Sequence, residues 1–122
     1  MKNNDIPELR NMGPKLVIVR RNSGKSQEKF AADYGVTQGT MSKYENGQKK
    51  LPVVLMARIC KDYKLNPNYF FDWDEETREK LELPPNFLFE PERIVAFVGK
   101  CIEVALGEDN AKKDQLIAIL FR

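Results

Sequence analysis

The sequence predicts an all-α fold, with five short helices in the first 71 residues and a helical hairpin at the C-terminal end. Two observations carry this prediction. Apolar residues recur at helical spacing in a series of separate stretches, and each stretch is bracketed by residues that start or stop helices.

Residues 1–13 carry Asn, Asp, Gly and Pro without a helical period and read as a flexible arm. Pro14 suits the first turn of a helix, and Leu16, Val17 and Val19 give that helix an apolar face ending near Asn22. Asn22-Ser23-Gly24 is a turn. Ser26 is the N-cap of a second helix, Gln27 to Tyr34, with Phe30, Ala31 and Tyr34 on its inner face. Gly35 stops it, Val36 is the turn, and Thr37 caps a third helix that runs to about Glu45. Asn46-Gly47 ends that helix with residues that tolerate the left-handed conformation. Pro52 opens a fourth helix through Val54, Leu55, Ala57, Ile59 and Cys60, and Asn66-Pro67 opens a short fifth, Asn68 to Phe71. Residues 72–85 form an acidic linker with a helix at Glu75–Leu83, closed by Pro84-Pro85. Pro91 starts a long helix ended by Gly107, and Asn110 caps a last one. Their apolar residues, among them Ile94, Phe97, Val98, Cys101, Ile102, Leu116 and Leu120, cover more than one face.

Composition excludes several functions. The 122 residues contain no His and only two Cys, so the four Cys/His ligands of a structural zinc site are missing. Cys60 and Cys101 read as buried thiols. No run of eighteen apolar residues is long enough to span a membrane, and the N-terminus leads into no apolar leader, which points to the cytoplasm. Gly24-Lys25-Ser26 resembles the tail of a phosphate-binding loop, but that motif needs a glycine where Val19 stands. The acidic run Asp72–Glu79 lacks the spacing and glycine of a calcium loop and reads as a solvated linker. No Ser or Cys stands beside a candidate base, so no enzyme activity, metal or cofactor is expected.

The net charge of +2 conceals an asymmetry. Residues 1–71 hold thirteen Lys and Arg against six Asp and Glu, a net +7, whereas residues 72–122 hold seven against twelve, a net −5. A basic half joined to an acidic half suggests that one end meets a polyanion.

The residues that name a polyanion lie between Gln27 and Asn46. Ser26-Gln27-Glu28-Lys29-Phe30-Ala31, Gly35-Val36-Thr37, Met41-Ser42-Lys43-Tyr44-Glu45-Asn46-Gly47 and Pro52 stand in the order of a helix-turn-helix. Ala31 is small where two helices cross, Gly35 supplies the left-handed turn, and Met41 and Tyr44 pack the third helix inward. At about 100° per residue, Gln38, Gly39, Ser42, Lys43 and Asn46 share the opposite arc.

Residues 14–71 resemble the DNA-binding domain of the Cro and phage-repressor (XRE) family, which implies a five-helix, lambda-repressor-like fold. By that resemblance the third helix reads base edges in the major groove through Gln38, Gly39, Ser42 and Lys43. Gln38 takes the leading base-reading position, and Gly39 departs from the polar residue usual there, leaving the backbone free to approach DNA. Arg20, Gln27, Thr37, Asn46, Gln48, Lys49 and Lys50 are the implied phosphate contacts, with Arg20 oriented by an ion pair to Glu45.

The expected organisation is thus an arm (1–13), a DNA-binding domain (14–71), an acidic linker (72–85) and a helical unit (86–122). That last unit has more apolar surface than one hairpin can cover. It either extends the core of the first domain or pairs with a second copy, and pairing is favoured because family members bind palindromic operators as dimers. Ile94, Phe97, Val98, Cys101, Ile102, Leu116 and Leu120 are then the dimerisation residues. The expected function is a repressor acting on double-stranded DNA as a homodimer. The alternative is the antitoxin of a toxin–antitoxin pair, with a toxin or antirepressor protein as second partner.

Overall fold

The computed structural model describes residues 6–121, and its regular structure there is entirely helical. Seven α-helices are present: α1 (Met12–Asn22), α2 (Gln27–Asp33), α3 (Gln38–Glu45), α4 (Val53–Tyr63), α5 (Glu75–Glu79), α6 (Pro91–Leu106) and α7 (Asn110–Leu120). Two 3₁₀ turns, Pro7–Leu9 and Pro67–Phe70, complete the set among the described residues. The chain divides into two compact units. One runs up to Leu51 and takes in Phe70–Asp72; the other comprises Pro52–Tyr69 and the chain from Trp73 onward.

In the first unit α1 and α2 both pack on α3. Phe30, Ala31, Tyr34, Met41 and Tyr44 form the shared core with Leu16 and Val19. The caps are those the sequence predicts. Ser26 accepts a hydrogen bond from the Lys29 N–H at 3.1 Å, and Thr37 accepts one from the Thr40 N–H at 3.0 Å. Gly35 has φ +71°, so the turn between α2 and α3 uses the backbone region that glycine enters without strain.

The predicted arm needs correction over residues 6–13; residues 1–5 lie outside the described residues. Ile6, Leu9 and Met12 are buried, and α1 starts at Met12, two residues before Pro14. The Asp72 N–H donates to the Glu8 carbonyl at 2.8 Å. The Asp72 carboxylate accepts from the Asn11 backbone N–H, the Asn11 side chain and the Lys15 ammonium at 3.2, 3.1 and 2.9 Å. Burial works to raise the pKa of Asp72, but Lys15 and the Asn11 donors outweigh it and hold the carboxyl below its ordinary value. These bonds fasten Phe70–Asp72 to the beginning of the chain.

The second unit is built on α4, which packs against α6, while α6 packs against α7. Val53, Leu55, Met56, Ala57, Ile59 and Cys60 of α4 are buried. So are Ile94, Val98, Cys101 and Ile102 of α6 and Leu116 and Leu120 of α7. The second apolar face of the long helix is therefore taken up by α4 within one chain. The predicted linker is also part of this core. Trp73 and Leu81 are buried, and Asn68 holds them together. Its side-chain amide donates to the Leu81 carbonyl at 2.9 Å, and its side-chain oxygen accepts from the Trp73 indole N–H at 2.9 Å. The helix expected at Glu75–Leu83 is shorter, Glu75–Glu79, with Asp74 as its cap. Asp109, not Asn110, caps α7, accepting from the Lys112 N–H at 3.1 Å. Both cysteines are buried thiols, and desolvation pushes Cys60 up to about 12.

Candidate nucleic-acid interface

The candidate interface centres on α3. Met41, Tyr44 and Glu45 turn into the first unit, which leaves Gln38, Gly39 and Lys43 exposed on the other side with Ser42 half-buried. This is the arc expected from the helical period. Gly39 is not demanded by crowding inside the protein. A Cβ built on it would meet only Thr37 Oγ1, at 3.9 Å, whereas one on Gly13 would lie 2.5 Å from the Glu45 carbonyl oxygen.

A chain of polar contacts fixes the start of α3. The Arg20 guanidinium donates through Nε to Glu45 Oε2 at 2.7 Å, through Nη2 to Oε1 at 3.2 Å, and through Nη1 to the Lys25 carbonyl at 3.0 Å. The Glu45 hydrogen bond raises the Arg20 pKa above its already high value. The Gln27 amide donates to Glu45 Oε1 at 3.0 Å, and Gln38 Nε2 donates to Gln27 Oε1 at 3.4 Å. Arg20, Glu45, Gln27 and Gln38 thus form one line from the interior to the surface. The side chains of Arg20 and Glu45 are only 13% and 6% exposed, so this line starts from a largely covered fork.

Other residues expected in the site are tied into this frame. Arg20 forms the expected ion pair with Glu45 and also bonds the Lys25 carbonyl. The Gln27 side chain bridges Glu45 and Gln38. Thr37 acts as a cap, and its hydroxyl donates to Thr40 Oγ1 at 3.0 Å. Asn46 uses its side-chain oxygen to accept from the Gln48 N–H at 3.0 Å, which shapes the loop after α3. Gln48 and Lys49 are exposed in that loop and Lys50 is half-buried. Lys25 and Lys29 are paired with Asp33, whereas Lys43, Lys49 and Lys50 have no ion-pair partner among the described residues. Three cations without an ion pair thus stand on α3 and the loop that follows it.

The seven residues expected to join two copies behave differently from expectation. Ile94, Val98, Cys101, Ile102, Leu116 and Leu120 are each at most 2% exposed within a single chain, and Phe97 is half-buried. They belong to the core around α4, so the intramolecular alternative describes them. The large apolar side chains left exposed on α6 and α7 are Val104 and Ile117.

Two features escape the sequence. Gly13 falls in the expected arm, and nothing joins Gln27 to Glu45 or Gln38. Eleven residues separate Gln27 from Gln38, and no one-dimensional pattern links two amides across a turn. Among the described residues no helix is long and apolar enough to cross a membrane, and no cluster of His, Cys, Asp and Glu is placed to hold a metal ion.

A helix-turn-helix family model matches residues 18–70, from within α1 to the end of the second 3₁₀ turn. Comparison with curated proteins and with solved structures finds no significant match.

Proposed function

We propose, from the premise that the chain carries a helix-turn-helix domain of the Cro and phage-repressor (XRE) family over residues 18–70 and is a DNA-binding regulator, that it is a sequence-specific repressor acting as a dimer on a two-fold symmetric operator. The observation that carries this reading is the exposed arc of α3, with Gln38 at its head held by Gln27. The Gln38 amide, with Gln27 beside it, can offer a paired donor and acceptor to adenine. Lys43 lies one and a half turns further along the same arc and suits guanine or a phosphate. Lys49 and Lys50, Gln48, and the amide hydrogens of Asn46 supply backbone contacts beside it. Thr37 and Gln27 contribute through the backbone N–H groups near their helix starts, and Arg20 contributes by holding Glu45. A bound dimer represses by occluding polymerase from the promoter, and it does so in the cytoplasm.

The second copy would be met through α6 and α7, using the exposed Val104 and Ile117 in place of the buried residues expected from the sequence. An antitoxin reading expects a C-terminal half that orders only on its toxin. Here α6 packs on α4 and α7 on α6, which supports the repressor reading.

Selection of bound duplexes from a random pool at moderate salt tests the proposal. The expected product is a two-fold symmetric site with half-sites about 34–36 Å apart. Salt-sensitive binding with no enriched sequence would sink it. On the selected site, Gln38→Ala and Lys43→Ala are each expected to weaken specific binding by about 1–3 kcal/mol where the side chain bonds a base, with little change on random DNA. Equal weakening on both would assign those side chains to the backbone.

Gly39 gives a separate test, because folding and binding should move in opposite directions. Gly39→Ala is expected to stabilise the protein by up to about 1 kcal/mol, since the added methyl meets only Thr37 Oγ1, at an ordinary 3.9 Å, and improves helix propensity. It should weaken operator binding if the α3 backbone lies against the DNA. Thermal melts and binding titrations on one protein preparation read both, and unchanged affinity would remove Gly39 from the DNA-facing surface.

A further inference from the structure

A surface groove of about 410 Å³ lies in the second unit between the segment 84–88 and the first three turns of α6. Its aromatic wall is ordered: the Phe87 ring packs against Phe97 at 5.4 Å and against Phe89 at 5.2 Å between centroids. Leu88 projects at its edge and is 52% exposed. Ala96 provides a small residue in the floor, which is what leaves the groove open.

Two cations flank that floor. Arg93 and Lys100 are seven residues apart on α6, so they stand on one face about 10 Å apart along the axis, with Ala96 and Phe97 between them. Both are exposed, and neither has an ion-pair partner among the described residues. Glu103, three residues beyond Lys100, is engaged by Lys113 at 3.1 Å. These charges stand out because residues 72–122 carry a net −5. Glu90 and Glu92 are exposed beside Arg93, so the attraction is local and falls on carboxylates placed directly against Arg93 and Lys100.

We infer that this groove docks an acidic peptide segment of a partner protein, one that places a bulky apolar side chain on Phe87, Ala96 and Phe97 between carboxylates facing Arg93 and Lys100. An apolar anchor in an aromatic groove supplies most of the affinity, and the flanking ion pairs fix register and select against basic segments. The groove lies outside residues 18–70, so the docking does not depend on how α3 reads DNA.

The test is fluorescence anisotropy with the full chain and a labelled helical peptide carrying a central Leu, with Glu one turn before and one turn after it. The peptide is expected to bind, and changing its Glu residues to Lys, or its Leu to Ser, should weaken binding by about tenfold or more. The double variant Arg93→Glu/Lys100→Glu should lose the acidic peptide by a similar factor while binding duplex DNA as the parent does. Both positions are exposed, so this variant keeps its fold, and circular dichroism checks that it does. Equal binding of the acidic and basic peptides, or no binding of the acidic one, overturns the inference. Loss of DNA affinity in the double variant would assign the two cations to the nucleic-acid footprint, and loss of a concentration-dependent dimer on sedimentation would assign the groove to a second copy; either result also overturns it.

Discussion

Gly13→Ala is expected to destabilise the protein by about 3 kcal/mol, a fall of about 10 °C in the melting temperature. The usual consequence of replacing a helical glycine by alanine is a gain of about 1 kcal/mol from helix propensity. Gly13 reverses that sign because of what its missing side chain makes room for. A Cβ there would stand 2.5 Å from the Glu45 carbonyl oxygen, 2.8 Å from that of Tyr44 and 3.0 Å from the Glu45 carbonyl carbon. All three atoms are backbone at the end of α3, so no side chain can rotate away, and α1 and α3 must move apart. Separation at that point also disturbs Glu45, on which the Gln27–Gln38 line rests. Binding to the proposed operator should therefore fall along with stability. Gly39→Ala in the same assay is the control, since a Cβ on that helical glycine meets only Thr37 Oγ1, at an ordinary 3.9 Å, and the expected sign is opposite. A Gly13→Ala protein as stable as the parent would mean that the α1–α3 crossing is looser than these distances require.

The two glycines also mark how far the sequence could be read. The start of each helix in the motif was legible because a cap bonds to a residue three positions on. Ser26 with Lys29 and Thr37 with Thr40 are local facts. The exposed arc of α3 was legible for the same reason, since the helical period alone separates Gln38, Gly39 and Lys43 from Met41 and Tyr44. Apart from the Arg20–Glu45 pair, which the family resemblance implies, contacts between elements were out of reach of the sequence. Gly13 looks like a loop residue until α3 is laid across it. The apolar surplus of α6 was visible in Ile94, Val98, Cys101 and Ile102, but nothing in their spacing says whether α4 or a second copy covers it. A boundary drawn at the acidic stretch overlooks packing in the same way. Asp74, Glu75, Glu76 and Glu79 lie on the surface or near it as their charge suggests, yet Trp73 and Leu81 on either side are core residues tied to Asn68.

The Arg20–Glu45 fork should show the largest effect of any polar substitution, because Glu45 accepts from three donor atoms on two residues. Glu45→Ala removes the acceptors of Arg20 Nε, Arg20 Nη2 and Gln27 Nε2 together. A guanidinium only 13% exposed is then left with the Lys25 carbonyl as its remaining partner. Breaking one side of a buried pair costs about 3–5 kcal/mol, and the residual exposure of Arg20 brings the expectation to about 3 kcal/mol. Replacing both members by apolar residues of similar size should cost less than the sum of the two single changes, because the uncompensated charge then disappears. Arg20→Met with Glu45→Leu is the double variant to compare with its singles by denaturant unfolding, with an expected coupling of about 2 kcal/mol. If the single effects simply add, the fork contributes nothing beyond two independent side chains. The double variant separates stability from recognition as well. It should fold, but Gln27 no longer has the carboxylate that fixes it, so Gln38 is no longer held from behind. Operator affinity should then fall towards that for random DNA while non-specific binding persists. A double variant that kept its full preference for the operator would show that Gln38 is oriented by the DNA itself and not by the protein.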